Sequence, residues 1–180
     1  MRHRISHFFA ICTVFLWASA YVFTKVALNY FTVFSLGFLR YFVAAIVLII
    51  AARIKKIGLP DFKDIPKFIL SGLLGFTLYM ITFNIGSKTL SSTTSSIIIS
   101  SVPILTALIA SVFLKERLIA LSWIAILIQF SGILVLTLWN GILSINTGVL
   151  WMLGAAILLS GYNITQRQYT KKYTAFQSTT

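Results

Sequence analysis

Two cations interrupt apolar sequence near the start of this chain, Lys25 in FLWASAYVFTK and Arg40 in GFLRYF. Trp17, Tyr21 and Thr24 are spaced by four and three, so a helix puts them on one side, with Lys25 next to them. Gly37, Arg40, Tyr41 and Ala44 share a side in the same way. Cations among aromatic rings, with no carboxylate in the same stretch, are suited to holding an anion. Arginine offers a planar fork that grips a carboxylate or phosphate through two hydrogen bonds. The bland alternative is anchoring, with both cations reaching lipid phosphates or helix-end carbonyls and Trp17 acting as apolar filler. Farther along, Tyr79, Ser100, Pro103 and Asn163 bring hydroxyl, amide and helix-breaking groups into apolar runs. With Trp17, Tyr21, Lys25 and Arg40 they make up the candidate path for a small-molecule substrate.

Other chemistry is poorly provided for. The acids Asp61, Asp64 and Glu116 all fall between apolar runs, which leaves no carboxylate for a proton relay within them. No Ser/His/Asp arrangement, metal-ligand spacing or glycine-rich phosphate loop occurs. Neither an enzyme nor a bound cofactor or metal is expected. Cys12 is alone, so no disulfide framework or zinc site is implied, and His3 and His7 lie in the terminal tail.

The elements that must position these residues are membrane helices. The chain is 58% hydrophobic and 10% charged, whereas soluble domains are about 45–50% apolar and about 25% charged. A bilayer core takes about 20 apolar residues per helix. Six runs qualify: Phe8–Leu28, Phe34–Ala52, Phe68–Gly86, Thr94–Leu114, Ile119–Trp139 and Gly148–Thr165. They are continuously apolar without alternation, which selects helices over barrel strands. The expected fold class is therefore all-α, a polytopic membrane protein with six transmembrane helices. The segment Arg53–Lys67, with Pro60, Pro66 and both aspartates, reads as a polar loop.

The net charge of +12 does not point to nucleic acid, because the basic residues gather at one end of each run. With the N-terminus in the cytoplasm, twelve basic residues from Arg2 to Lys172 fall inside, against Lys88 outside. That asymmetry is the positive-inside pattern, and it implies a multi-pass protein of the inner (plasma) membrane. Trp123, Trp139 and Trp151 lie at run boundaries, where aromatic belts form. The start also resembles a signal peptide, with Ala18-Ser19-Ala20 as a cleavage site. Apolar sequence continuing to Val26 argues that it is retained.

An offset of 142 residues places Leu158-Leu159-Ser160-Gly161-Tyr162 on Leu16-Trp17-Ala18-Ser19-Ala20 and Arg167 on Lys25. The same offset sets Tyr173-Thr174-Ala175-Phe176 on Phe31-Thr32-Val33-Phe34. Five crossings separate the copies, so the repeat is inverted, as in many secondary transporters.

In the fourth run, Pro103 should kink the helix. Ser96, Ser100, Pro103, Ala107 and Ala110 form a small-residue stripe there, and Gly72, Gly75, Tyr79, Thr82 and Gly86 form one in the third. Both close packing and a substrate path fit such stripes.

Four pieces of the chain resemble the EamA-type carriers of the drug/metabolite transporter superfamily. They are Trp17 with Lys25 and Arg40, the run Leu90–Pro103, Phe113-Leu114-Lys115-Glu116-Arg117, and Ser131-Gly132-Ile133-Leu134-Val135. The resemblance implies a ten-helix carrier of small metabolites or amino-acid-like compounds, built from two inverted five-helix repeats and working by alternating access. Residues 8–139 would be the first repeat, and residues 148–180 the start of the second. Four further helices are then expected beyond Thr180, supplied by a missing C-terminal half or replaced by a homo-oligomer. The competing readings are a non-transporting fragment and a structural subunit that docks on other helices. In every case the lipid bilayer is a partner and nucleic acid is not.

Overall fold

A computed structural model describes residues 2–58, 60–115, 118–139, 147–170, 172–174 and 177. Every element in it is helical: α1 (Arg2–Ala27), α2 (Val33–Ile54), a short 3-10 turn (Phe62–Asp64), α3 (Ile65–Gly72), a π-helical segment (Leu73–Leu78), α4 (Tyr79–Thr89), α5 (Ser92–Ile99), α6 (Val102–Phe113), α7 (Ala120–Trp139) and α8 (Thr147–Tyr169). Five stretches are long and apolar enough to cross a membrane, with part of α7 a shorter apolar helix beside them. The third crossing runs through α3, the π segment and α4, with the 3-10 turn leading into it, and the fourth joins α5 and α6. Glu116, Arg117, Lys171, Ala175, Phe176 and the Trp139 side chain, all used in the sequence reading, lie outside the described residues.

Local chemistry sets the boundaries. Thr32 caps α2 by accepting a hydrogen bond from the Ser35 N–H at 3.2 Å, and Ser91 caps α5 from Thr94 at 3.0 Å. At the far end of α2, Lys56 takes a left-handed conformation with φ of 50°. The Ile57 N–H then returns to the Ala52 carbonyl at 3.0 Å, closing a Schellman-type end. Pro66 sits in the first turn of α3, where its missing N–H costs nothing.

The expected kink at Pro103 is present as a break between α5 and α6. The Ser101 N–H bonds to Ile98, three residues back, at 3.1 Å. A second irregularity, the π segment, had no proline to announce it.

α8 is the centre of the packing, lying against α4, α5, α6 and the π segment. Met152, Ala155 and Ala156 are fully buried and meet Met80, Phe83, Leu90, Ile98, Ile99 and Val102. Glycines allow the close approach. A Cβ at Gly75 would fall on the Tyr162 ring, and one at Gly148 on the Thr89 hydroxyl. The third-run stripe thus divides: Gly75 and Gly86 both face α8, while Gly72 meets nothing. In the fourth run the buried face is Ser95, Ile98, Ile99 and Val102, and Ser100 and Pro103 are exposed. Packing there therefore includes Ala110 of the predicted stripe but leaves out its middle, Ser100 and Pro103. α1 leans on α4 and α5, and α2 on α4. Asn84, fully buried, donates to the Val33 carbonyl at 3.0 Å and ties α4 to the first turn of α2.

Candidate substrate site at the α1–α2 cleft

Arg40 lies seven residues into α2, roughly 10 Å along its axis by the rise per residue. Its Nη1 donates to the Thr24 hydroxyl of α1 at 2.9 Å and contacts the Met80 sulfur of α4 at 3.9 Å. These are its only side-chain hydrogen bonds among the described residues, and both use Nη1. The Nε and Nη2 edge of the guanidinium stays available for a two-point grip on an anion. Around the cation, Trp17, Ala20 and Tyr21 of α1, Tyr41 of α2, and Tyr79, Met80 and Phe83 of the third crossing enclose a cavity of about 200 Å³. No acid lines it. Tyr21, Phe83 and Tyr79 pack ring to ring, with centroids 5.7 and 5.5 Å apart, making a firm aromatic wall.

Four of the eight residues singled out in the sequence therefore meet here: Trp17, Tyr21, Arg40 and Tyr79. Thr24 and Tyr41, read as their neighbours on the same helix faces, join them. Met80 and Phe83 were missed, although Phe83 follows Tyr79 by four residues, one helical turn on, and repeats the aromatic signal. The other four lie elsewhere. Lys25 turns to the end of α4, donating to the carbonyls of Ser87 at 2.9 Å, Lys88 at 2.9 Å and Leu90 at 2.7 Å. Of the two roles open to it in sequence, this is the helix-end one. Ser100 donates to the Ile97 carbonyl and accepts from Gln129 of α7 at 3.3 Å. Asn163 reaches the Thr106 hydroxyl at 3.5 Å, and Pro103 marks the kink.

At the opposite end of the third crossing, a polar clasp joins the 58–64 loop to the residues after α8. Lys172 Nζ bridges Asp61 at 2.6 Å and Asp64 at 2.7 Å. The Tyr173 hydroxyl donates to Asp64 at 2.7 Å, and Lys67 adds a bond at 3.2 Å. Hydrogen bonds from Lys172, Tyr173 and Lys67 hold the Asp64 carboxyl well below the usual carboxylate range. Bonds to Asp61 and Asp64 push Lys172 above the usual lysine range. Sequence reading placed both aspartates in a loop and saw no partner for them.

Residues 4–138 match the model of the EamA-like transporter family. The chain belongs to that family. It is 35% identical over 159 residues to an uncharacterized transporter, YdfC, of Bacillus subtilis (strain 168), covering 88% of this chain and 52% of the relative. A probable terminal-alkyne amino-acid exporter of Streptantibioticus cattleyicolor is 29% identical over 93% of this chain and 56% of its own length. An S-adenosylmethionine uptake transporter of Rickettsia bellii is 30% identical over 77% of this chain and 47% of its own. The chain spans about half the length of the curated relatives it matches. No solved structure matches it. Its EamA membership and apolar helices make it a multi-pass membrane protein of a transporter family, and its named relatives are transporters and not enzymes.

Proposed function

We propose that this chain forms the Arg40-bearing half of a carrier for small metabolites, working by alternating access in the inner membrane with its N-terminus in the cytoplasm. The observation that carries this reading is the Arg40 cavity: one cation, no acid, and a wall of aromatic rings. Arg40 and Trp17 are exposed on the described chain. A cation facing hydrocarbon at a helix centre costs about 2.5–3.5 kcal/mol on insertion scales, with the cost falling toward the interface. The open side of the cavity therefore faces water or protein, which suits a second half, or a second copy, closing over it. A substrate would place its anionic group on Arg40 and its body against Trp17, Tyr21 and Tyr79. The relatives include both a probable amino-acid exporter and an uptake transporter, so small amino-acid-like compounds fit and direction is not inherited.

The test is transport by proteoliposomes containing the full chain and whatever second half or copy it assembles with. Arg40→Lys keeps the charge but loses the fork, so uptake of a carboxylate substrate should fall about tenfold or more while insertion is unchanged. Arg40→Gln should affect anionic substrates more than neutral ones. Parental transport by both variants would reduce Arg40 to an anchor.

A further inference from the structure

Arg40 borders more than one concavity. α1 and α2 lean separately on the third crossing, and between them opens a second cavity of about 400 Å³. It shares Ala20, Thr24 and Arg40 with the first, but otherwise its lining is Leu16, Ser19, Phe23, Ala27 and Leu36. Apart from Arg40, Thr24 and Ser19, that lining is apolar. The Ser19 hydroxyl is turned back onto the Leu16 carbonyl at 2.9 Å, and Thr24 is spent on Arg40. Leu16 and Phe23, on the α1 side, are strongly exposed. The guanidinium thus stands where a small aromatic chamber meets an apolar cleft open along the outer faces of two membrane helices.

The geometry points to an amphiphilic carboxylate as the ligand: an anionic head on Arg40 and an unbranched apolar tail laid along the α1–α2 cleft. This rests on the reading of Arg40 as the seat of the substrate anion and adds the tail. Charge selects the head, because Asp61 and Asp64, the acids among the described residues, sit at the far end of the molecule and neither cavity contains one. Depth selects a free carboxylate over a phospholipid. Arg40 is roughly two helical turns below the start of α2, whereas a phospholipid head is held at the surface of the bilayer by its own polar groups.

The full chain in phosphatidylcholine nanodiscs allows a direct test, with a chain-brominated decanoate quenching the fluorescence of Trp17 and unlabelled carboxylates competing. The Trp17→Phe variant identifies which part of the quenching comes from the cavity. Competition should strengthen by about tenfold or more from hexanoate to decanoate, as further methylenes leave water. Arg40→Gln should weaken both acids about tenfold. Ser19→Phe, or Ala27→Phe if the first variant folds poorly, should erase the gain from chain length and leave hexanoate unchanged. If hexanoate binding needs Arg40 but chain length has no effect, or its effect survives both cleft-filling variants, the tail site is wrong and the anion seat stands. If Arg40→Gln changes neither acid, the anion seat fails and this inference with it. Displacement of decanoate by phosphatidylglycerol nanodiscs at equal protein concentration would assign the cleft to membrane lipid and overturn the proposal.

Discussion

Lys25 shows how far a single residue can be read from sequence. Its position near the end of an apolar run was plain, and so was the need for a partner. The partner was not legible, because the carbonyls come from residues 62 to 65 positions later. Three bonds from an ammonium to carbonyls at a helix C-terminus combine charge-assisted hydrogen bonding with the favourable end of the helix dipole. Lys25→Met should therefore destabilise the chain by about 2–3 kcal/mol, the usual scale for losing hydrogen bonds to a charged group. Unfolding by SDS titration in mixed micelles would measure this. An unchanged midpoint would mean that water or lipid caps α4 equally well. Arg40 is the contrasting case. Its partners on α1 lie 16 to 23 positions away, and the helical spacing of Trp17, Tyr21 and Thr24 had already grouped them.

At the scale of elements, the sequence announced what proline does and concealed what glycine does. Pro103 predicted a break in the fourth crossing, because a missing donor is visible in the letter itself. The π segment Leu73–Leu78 depends on a neighbour instead: it lies where Tyr162 of α8 presses on Gly75 and stacks edge-on to Phe76 at 5.4 Å. π-helical turns recur at functional sites, and Phe76 also touches Tyr41, a wall of the Arg40 cavity, with ring centroids 5.3 Å apart. Gly75→Ala would force the ring away. Such overpacking should cost about 1–3 kcal/mol. Adding Tyr162→Ala should recover part of that cost, and a double-mutant cycle on SDS unfolding midpoints would show the coupling. Strict additivity would mean that the helices separate without feeling the contact.

For the whole molecule, hydropathy marked six apolar runs, and the helices observed follow them in order, five long enough to cross a membrane and a shorter apolar one in α7. What it could not supply was which crossings touch. The sixth run turned out to be the centre of the packing, although its apolar length alone does not set it apart from α1. The clasp between Asp61, Asp64, Lys172 and Tyr173 is likewise a product of three-dimensional assembly, joining residues more than a hundred positions apart. Its pH dependence follows from the two shifts. Asp64 is depressed, so its contribution is complete above the ordinary carboxylate value of about 3.9 and fades only as pH falls through its lower folded value. Lys172 is raised, so its contribution is complete below about 10.4 and fades only at still higher pH. Spin labels at Lys63→Cys and Thr170→Cys should thus report a narrow distance that is flat from about pH 5 to 9 and broadens at both extremes. Asp64→Asn should broaden it at neutral pH. A transition near pH 6 would show that these carboxylates do not govern the contact.

The long sequence separation at Lys25 also has a consequence in time. Its last carbonyl partner, Leu90, is made 65 residues after it. At about 5–20 residues per second, that interval is roughly 3–13 s of synthesis. Until Ser87 is made, the Lys25 ammonium has none of these carbonyl partners, and water or lipid must serve it. The nascent chain is therefore most exposed to mis-insertion and quality control while α2 and the third crossing are still emerging. Completion of α4 is the step that first supplies the Lys25 ammonium with its carbonyl partners.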